Sequence, residues 1–254
     1  MYPLINLNNK KIVIVGASKG IGRQTAITLS SIGAKCILVA RSEDALKTVQ
    51  DELEGSGHGH YMLDVSQIEN IEPAVKDIVN EFGAVDGMVY AAGVTNDRPI
   101  NLLKYEVVEA TMKINYFGFV EFVRCLSKKK RYNPGMRVVG ISSTASIAGT
   151  KAHTVYSSSK AAMDAAVRCL IHELTPKGIS LNTVAPSFIK TEMYDRWIDS
   201  NEEDGKQIKV MKTIQYLGVG ETEDVANAIA FLLCPAARFV NGTCLILDGG
   251  GSSN

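Results

Sequence analysis

A tyrosine and a lysine four residues apart, Tyr156 and Lys160, are the residues whose types and spacing point most directly to chemistry. Side chains at this spacing lie on the same face of a helix. Free tyrosine has a pKa of about 10, so at neutral pH it is a slow proton donor. A neighbouring ammonium group stabilises the phenolate and lowers the pKa towards the operating pH. The same spacing also occurs by chance in surface helices.

Two further polar residues, Ser143 and Asn115, complete a possible acid–base centre. Ser143 follows a predicted strand at residues 137–142 and is expected to hydrogen-bond a substrate oxygen. Asn115 is expected to mark a bend in a long helix and to hold a water that links Lys160 to solvent. We predict that Asn115, Ser143, Tyr156 and Lys160 form one catalytic group.

A glycine-rich segment between a predicted strand and a predicted helix indicates a nucleotide site. Its glycines are spaced G-x-x-x-G-x-G, which differs from the commoner G-x-G-x-x-G. Such glycines permit a tight turn and close backbone approach, and the helix N-terminus attracts phosphate. The alternative is an ordinary helix-entry turn. The predicted pyrophosphate-binding residues are Gly16, Ser18, Lys19, Gly20, Ile21 and Gly22.

The cations Arg41 and Lys19 favour NADP over NAD as the dinucleotide. Arg41 follows the second predicted strand, where an NAD-binding domain carries an acid for the ribose 2′-hydroxyl. A guanidinium there would bind a 2′-phosphate. Either cation alone is also typical of a solvated surface.

An oxidised nicotinamide ring would add positive charge beside Tyr156, so the sequence predicts a nicotinamide-dependent oxidoreductase.

Residues at the ends of the third and fourth predicted strands are further candidates for cofactor contact. Asp64, followed by Val65, either accepts a hydrogen bond from the adenine amino group or caps the turn before Ser66. Small residues let the backbone approach the cofactor closely after the fourth strand. They are Ala91, Ala92 and Gly93.

Short apolar segments alternate with segments of helical period along the whole chain. This pattern is typical of a doubly wound α/β domain, which binds ligands at the carboxyl ends of its parallel strands. Strands are predicted at 11–15, 35–40, 60–63, 85–91, 137–142, 180–185 and 243–247. Helices are predicted at 21–32, 43–53, 68–82, 107–130 and 225–233, and from the segment with Tyr156 to residue 174.

The least regular segment, residues 187–217, is a candidate substrate lid within a single domain spanning 1–254. Met193, Tyr194, Trp197 and Ile198 have helical spacing in it. They are expected to cover substrate, to pack against another subunit, or both.

Composition excludes several other classes of protein. Apolar residues make up 46% and charged residues 21%, and the formal net charge is zero, so nothing global attracts nucleic acid or an anionic membrane. No apolar run approaches a membrane span and no signal-peptide pattern opens the chain, so a cytoplasmic protein is expected. Five cysteines without paired spacing are expected to be buried thiols. His58 and His60 lack nearby ligands, so no metal is expected.

The chain resembles the short-chain dehydrogenase/reductase family over essentially its whole length, and most of all its 3-oxoacyl-[acyl-carrier-protein] reductases. The resemblance implies a Rossmann-type fold with a seven-stranded parallel sheet and an Asn-Ser-Tyr-Lys tetrad. It also implies that Pro186, Ile189 and Thr191 contact the cofactor, the last two at the nicotinamide carboxamide. The matching pieces are the glycine loop, 64–65, 91–93, Asn115, Ser143, Tyr156, Lys160, 182–191 and 247–250.

Three residues depart from the family pattern. Val15 replaces a threonine common before the first glycine, and Ala91 replaces an asparagine common before Ala-Gly. Both replacements are apolar and suggest local repacking that keeps the site. Ser187 replaces a glycine common after Pro186, which is expected to reshape the nicotinamide end.

These features predict an NADPH-dependent carbonyl reductase whose first-choice substrate is a 3-oxoacyl thioester. One alternative is a reductase of a sugar, polyol or other ketone; another is a nucleotide-sensing protein without turnover. Basic residues at 128–131 and Lys177 either end helices in solvent or dock an acidic acyl carrier protein.

Assembly is predicted from one helix and from family resemblance. Four alanines permit close helix packing, either across a two-fold axis or within one subunit: Ala161, Ala162, Ala165 and Ala166. Family members pair this helix and the helix near 116–126 across a two-fold axis, and then pair dimers through the last strand and its preceding helix. The resemblance therefore implies a homotetramer.

Overall fold

A computed structural model describes residues 5–199 and 215–252 of the chain, without the side chains of 196–199. Its strands are β1 Lys11–Val15, β2 Lys35–Ala40, β3 Gly59–Met62, β4 Val85–Tyr90, β5 Tyr132–Ile141, β6 Ser180–Pro186 and β7 Cys244–Leu247. Its helices are α1 Gly20–Ser31, α2 Glu43–Asp51, α3 Ile71–Phe82, α4 Tyr105–Met112, α5 Gly118–Leu126, α6 Thr154–Leu174, α7 Glu192–Asp199 and α8 Thr222–Leu233.

The seven strands form one parallel sheet in the order β3-β2-β1-β4-β5-β6-β7. The chain therefore winds outward from β1 in one direction and from β4 in the other. Ligands of such sheets bind in the crevice where the order reverses, outside the carboxyl ends of the strands. Here that crevice lies between the loops after β1 and β4. The predicted doubly wound α/β fold is confirmed.

Both faces of the sheet are covered, which explains why its inner strands are apolar throughout. In β1, Val13 and Val15 join a core formed with α3, α5 and α6. The alternate residues Ile12 and Ile14 join a second core with α1, α2 and α8. Because successive side chains of a strand point to opposite faces, an alternating polar pattern would have left one of these cores unfilled.

Two predicted elements differ from the structure by more than three residues at one end. The helix predicted at 107–130 ends at Leu126, and a π-helical turn at Lys113–Phe117 divides it into α4 and α5. The chain leaves this helix early because Lys130 has a φ of 72° and the residues from Tyr132 pair with β4. The strand predicted at 137–142 is accordingly longer and starts at Tyr132.

The predicted irregular segment 187–217 contains a helix, α7, so the description of this segment as irregular was wrong for residues 192–199. Thr191 starts the helix, because its Oγ1 accepts a hydrogen bond of 3.2 Å from the Tyr194 amide. All four residues that have helical spacing in the sequence lie in α7: Met193, Tyr194, Trp197 and Ile198. Residues 200–214 of the candidate lid lie outside the described residues.

The expectation of buried thiols was wrong for Cys169, which is exposed. It lies on α6 two residues after Val167, which faces the core, and so points away from the sheet. Cys36, Cys125 and Cys234 are buried, and Cys244 is partly exposed. Over the described residues, no helix is long and apolar enough to cross a membrane.

Candidate active site

The glycine loop after β1 brings three backbone segments closer together than side chains would permit. Gly16 has a φ of 85°, and a Cβ there would lie 2.5 Å from the amide nitrogen of Ala92. A Cβ at Gly22 would lie 2.1 Å from the Gly16 carbonyl oxygen. These contacts hold the start of α1 against the ends of β1 and β4.

The first turn of α1 is open to an anion. Lys19 precedes the helix, and no described side chain caps it. Gly20 has a φ of 54°, and a Cβ there would lie 3.5 Å from Glu192 Oε2 and 3.6 Å from Thr191 Cγ2. The start of α7 therefore faces the loop. Free helix amides behind a glycine cradle fit the pyrophosphate of a dinucleotide.

A cavity of about 520 Å³ lies at the carboxyl ends of β2 and β3. Its lining residues are Arg41, Tyr61, Met62, Leu63, Asp64, Asn70, Pro73 and Ala74. Arg41 is exposed, and neither it nor Lys19 forms an ion pair among the described residues, whereas Arg23 is paired with Glu52. The cavity thus offers an uncommitted guanidinium where the adenosine end of a dinucleotide would lie.

Asp64 and Val65 are placed differently at this cavity. Asp64 Oδ1 accepts a hydrogen bond of 2.9 Å from the Ser66 amide, so the carboxylate does cap the following turn. The carboxylate also lines the cavity, and its hydrogen bond with an adenine amino group stays a prediction. The side chain of Val65 is buried in the core, so only its backbone is available to a ligand.

Lys160 is a buried ammonium group beside the ring of Tyr156. It is 3% exposed, and its Nζ lies 5.7 Å from the centroid of that ring. Nζ donates a hydrogen bond of 2.7 Å to the carbonyl oxygen of Ile141, at the end of β5. Burial lowers the pKa of Lys160 to about 8, and the charge of Asp164 opposes that effect. A Cβ at Gly93 would lie 3.3 Å from Nζ, so the backbone after β4 passes directly over the ammonium.

The pKa of Tyr156 is shifted in the direction opposite to the one expected from its lysine neighbour. Desolvation of the phenol raises this pKa, a hydrogen bond with Ser143 lowers it, and the charge of Asp97 raises it. Desolvation is the largest of these effects, so burial favours the phenol over the phenolate. Lys160 directs its ammonium at the Ile141 carbonyl.

Ser143 lies directly after β5 and connects that strand to the tyrosine. Its Oγ accepts a hydrogen bond of 3.2 Å from the Ala145 amide, which fixes the turn leading away from the strand. It is also close enough to the Tyr156 phenol to lower the pKa of that group. The structure thus brings Ser143, Tyr156 and Lys160 together, as their positions in the sequence predict.

Asn115 is fully buried at the centre of the π-helical turn. Its Nδ2 donates to the Val94 carbonyl and to Ser159 Oγ, both at 2.9 Å, and its Oδ1 accepts from the Val94 amide at 2.9 Å. Both amide hydrogens are used, so only the second lone pair of Oδ1 is available for the predicted water. A π-helical turn stands where the bend was predicted, and the Asn115 side chain fastens this turn to the loop after β4.

A buried tyrosine, Tyr90, accounts for the position of this bend. Its hydroxyl donates a hydrogen bond of 2.6 Å to the Ile114 carbonyl, which takes that carbonyl out of the regular helical pattern. A Cβ at Gly118 would lie 2.3 Å from the same hydroxyl, so glycine is required there.

Comparison with known proteins agrees with this geometry. A family model described as enoyl-(acyl carrier protein) reductase matches residues 16–252, nearly the whole chain. The chain belongs to the short-chain dehydrogenase/reductase family. It is therefore an oxidoreductase.

Individual relatives of this dehydrogenase/reductase differ in substrate. A 3-oxoacyl-[acyl-carrier-protein] reductase of Escherichia coli strain K12 is 32% identical, covering 97% of this chain and 98% of the relative. An L-xylulose reductase of Caenorhabditis elegans is 31% identical, covering 98% of each chain. A solved short-chain dehydrogenase of Burkholderia cenocepacia J2315 in complex with NADP has a TM-score of 0.87 at 26% identity, covering 97% of this chain and 99% of that one.

An ion pair beside the tyrosine was not predicted from the sequence. His153 Nε2 lies 3.1 Å from Asp97 Oδ1, and the imidazole meets the Tyr156 ring edge-on at 6.1 Å between centroids. Asp97 raises the pKa of His153, and a hydrogen bond of 2.5 Å from Thr95 Oγ1 holds the carboxylate. His153 stands three residues before Tyr156, a spacing that could have drawn attention to it. Asp97 comes from the loop after β4, and nothing in the sequence indicates that contact.

Gln215 joins the two ends of the candidate lid in this dehydrogenase/reductase. The side chain is 2% exposed. Its Nε2 donates to the Gly218 carbonyl at 2.8 Å and to the Phe188 carbonyl at 3.4 Å, and its Oε1 accepts from the Phe188 amide at 2.8 Å. The adjacent residue Ile189 pairs with Gly220. The ends of the segment are thus fixed at the carboxyl end of β6.

The three residues expected at the nicotinamide end occupy that same edge. Pro186 is the last residue of β6, and Thr191 lies over Gly20 at the start of α7. Ile189 is largely buried in the core, so its backbone is the part available for cofactor contact.

Proposed function

We propose that this chain is an NADPH-dependent carbonyl reductase that acts through Asn115, Ser143, Tyr156 and Lys160. The observation that carries the proposal is the meeting of Ser143, Tyr156 and Lys160 at the end of β5, beside the glycine loop. Gly93 lies between that group and Asn115, because a Cβ at this glycine would lie 3.3 Å from Lys160 Nζ and 3.7 Å from Asn115 Oδ1.

The residues divide the work of reducing a ketone. The chemistry that NADPH supplies when bound is transfer of a hydride to the ketone carbon. Ser143 holds the ketone oxygen, and Tyr156 gives that oxygen its phenolic proton, so that the product is an alcohol. Lys160 provides a nearby cation that stabilises the resulting phenolate, and a proton from solvent restores the phenol. Asn115 supports that relay by fixing the loop after β4.

Two cations support NADP(H) as the cofactor. Arg41 lines the proposed adenosine cavity and Lys19 lies in the glycine loop, and neither forms an ion pair among the described residues. No carboxylate follows β2 at the position where one would bind a ribose hydroxyl. The relative from Burkholderia cenocepacia is bound to NADP.

A 3-oxoacyl thioester is the proposed substrate, because relatives named for reduction of 3-oxoacyl groups on a carrier protein match nearly the whole chain. An acidic acyl carrier protein would dock at the basic residues near the end of α5. Lys129, Lys130 and Lys177 are exposed there. Lys128 and Arg131 instead bind Glu72, at 2.6 Å and 3.3 Å, so only part of the basic segment is available to a carrier.

A keto-sugar is the second candidate substrate. The L-xylulose reductase of Caenorhabditis elegans is similar to this chain to nearly the same degree as the carrier-protein reductases. The neutralisation of Lys128 and Arg131 by Glu72 also favours a substrate without an acidic carrier. The same four catalytic residues would serve either ketone.

The experiment that tests this function measures NADPH oxidation with an acetoacetyl thioester, L-xylulose and simple ketones. The proposal predicts the highest kcat/KM with the thioester. A higher value with L-xylulose would select the second candidate. Absence of turnover with every carbonyl compound, despite NADPH binding, would contradict the assignment as a reductase of these substrates.

A further inference from the structure

Asp164 is a buried carboxylate on α6 that lies outside the four proposed catalytic residues. It is one helical turn beyond Lys160 and is 5% exposed. An acid is rarely buried to this degree unless it is paired or hydrogen-bonded. Its partners therefore indicate what it does.

Both oxygens of Asp164 bind hydroxyl groups at the carboxyl end of the sheet. Ser142 Oγ donates to Oδ2 at 2.8 Å, and Thr183 Oγ1 donates to Oδ1 at 2.8 Å. Both hydroxyl residues are themselves buried. The carboxylate thus joins the catalytic helix to the residue after β5 and to the middle of β6.

Lys160 holds the same strand end as Asp164. Its Nζ binds the Ile141 carbonyl, one residue before Ser142. Two side chains one turn apart on α6 therefore hold two consecutive residues of the chain, and the next residue is Ser143. Because Tyr156 is also on α6, these contacts set the separation between the serine hydroxyl and the phenol.

Asp164 is also the buried counter-charge of Lys160. Burial lowers the pKa of the lysine, and Asp164 is the charged group that opposes this effect. The other titratable groups nearby act elsewhere: Asp97 pairs with His153 and affects Tyr156. Burial raises the pKa of the Cys244 thiol on β7, Asp164 raises it further, and Arg168 lowers it.

We propose that Asp164 is a positioning residue that holds Ser143 against the catalytic helix and keeps Lys160 in its charged form. The proposal rests on the roles assigned to Ser143 and Lys160 in the proposed function. In it, Asp164 touches neither substrate nor cofactor and acts through these two residues.

The variant Asp164→Asn removes the charge and keeps the shape. Its Oδ1 still accepts from one hydroxyl, but its Nδ2 can only donate, so the other hydroxyl must become the acceptor. Without the negative charge of Asp164, the pKa of Lys160 falls further. Deprotonation of Lys160, and the loss of activity that follows it, should therefore begin at a lower pH. A single opposite charge nearby shifts a pKa by about 1 unit or more, so the alkaline limb of kcat should move down by about 1 unit. Thr183→Val is the matched control, because it removes one hydroxyl that binds Asp164 and keeps the carboxylate charge. The alkaline limb of its kcat profile should stay within about 0.3 unit of that of the wild type.

A second readout does not depend on turnover. Lysines labelled with ¹³C at Cε can be titrated by NMR in the protein without substrate, and Lys160→Met identifies the Lys160 signal. The midpoint should fall by about 1 unit in Asp164→Asn and recover in Asp164→Glu. An unchanged midpoint would overturn the proposal. If the wild type shows no carbonyl reduction but this midpoint moves, the proposed function fails while the link between Asp164 and Lys160 stands.

Folding of the variants is checked by thermal unfolding and by NADPH binding. Asp164→Ser is neutral and smaller, and it repeats the comparison if Asp164→Asn does not fold. Failure of both neutral variants to fold would overturn the proposal, because it would make Asp164 a residue required for folding.

Discussion

At the scale of single residues, the pair formed by Asp97 and His153 lies beside the catalytic phenol. The charge of Asp97 raises the pKa of the Tyr156 phenol, and Asp97 also raises the pKa of His153. Neither group belongs to the four proposed catalytic residues. The tyrosine of this chain thus works in a local field set by an ion pair from two different loops.

The contact between Asp97 and His153 leads to a prediction about the pKa of His153. Asp97 raises its pKa in the folded protein above the usual value of about 6.5. A raised pKa means that the pair stabilises the fold fully below pH 6.5, and that this stability is lost as pH rises through the folded-state value. Asp97→Asn should lower the midpoint of His153 in an NMR titration, where His153→Gln identifies the signal. An unchanged midpoint would show that the two side chains do not interact in solution.

Arg41 makes a prediction about cofactor choice. Arg41→Asp removes the proposed partner of the 2′-phosphate and installs an acceptor for a ribose hydroxyl. The ratio of kcat/KM for NADPH to that for NADH should fall by at least about tenfold, as expected for loss of one charged hydrogen-bonding group. Arg23→Gln is the matched control, because Arg23 is paired with Glu52 and should leave the ratio unchanged. A ratio unaffected by Arg41→Asp would assign the choice to Lys19 alone.

At the scale of elements, the candidate lid is fixed at its ends by Gln215. Gln215→Leu keeps the approximate size of the side chain but removes three hydrogen bonds to residues 188 and 218. Loss of buried hydrogen bonds typically costs about 1–3 kcal/mol, which denaturant unfolding would measure. The KM for the ketone should rise more than kcat falls. Gln50→Leu, which removes one hydrogen bond to His60 far from the lid, should leave KM unchanged.

The stability and the KM of Gln215→Leu together distinguish a role of Gln215 in folding from a role of the segment in covering the substrate. A stability loss with an unchanged KM would mean that Gln215 supports the fold and that the segment does not cover the substrate. An unchanged stability would contradict the role given to the three hydrogen bonds.

The strands and helices were predictable wherever burial imposes a regular pattern. β1 and β2 have the predicted bounds because every residue after the first is buried between two helical layers. The first half of β5 was not predictable, because Pro134 and Gly135 indicate a turn in isolation. The bend at Asn115 was predicted, but its cause, the contact of Tyr90 with Ile114, joins residues distant in sequence.

The contacts of the candidate site were likewise predictable only in part. Residues that share one helix or one loop, such as Tyr156 with Lys160, are related by spacing that the sequence displays. The partners of Asp97 and Asp164 come from other loops and strands, so only the folded sheet brings them into contact. The raised pKa of Tyr156 was missed for the same reason, since desolvation depends on packing that spacing does not reveal.

At the scale of the whole molecule, exposed apolar residues on two surfaces support the proposed homotetramer. The four alanines of α6 are partly exposed, and Phe117 at the neighbouring bend is exposed, which leaves a helical face available to a second copy. A separate apolar surface lies at the sheet edge formed by β7. It includes Phe231, Phe239 and Ile246, and Phe239 is 94% exposed.

Light scattering at micromolar concentration tests this assembly. The prediction is a mass four times that of the 27.4 kDa chain. Phe239→Asp should reduce it to a dimer, because a charge at the edge surface leaves the helical contact intact. A single-chain mass for the wild type would exclude both contacts, and a wild-type dimer would reject the second.

The central claim is that the Tyr156 phenol donates the proton in a nicotinamide-dependent carbonyl reduction. Tyr156→Phe keeps the ring beside Lys160 and removes only the proton donor, so it tests the claim most directly. The measurement is single-turnover NADPH oxidation by wild type and variant with the best ketone substrate, together with the Kd for NADPH. General acid catalysis of this kind is worth about 10²–10⁴-fold, so the rate should fall by at least about 100-fold while the Kd changes by less than about threefold. A variant that retained a tenth or more of the wild-type rate would contradict the account.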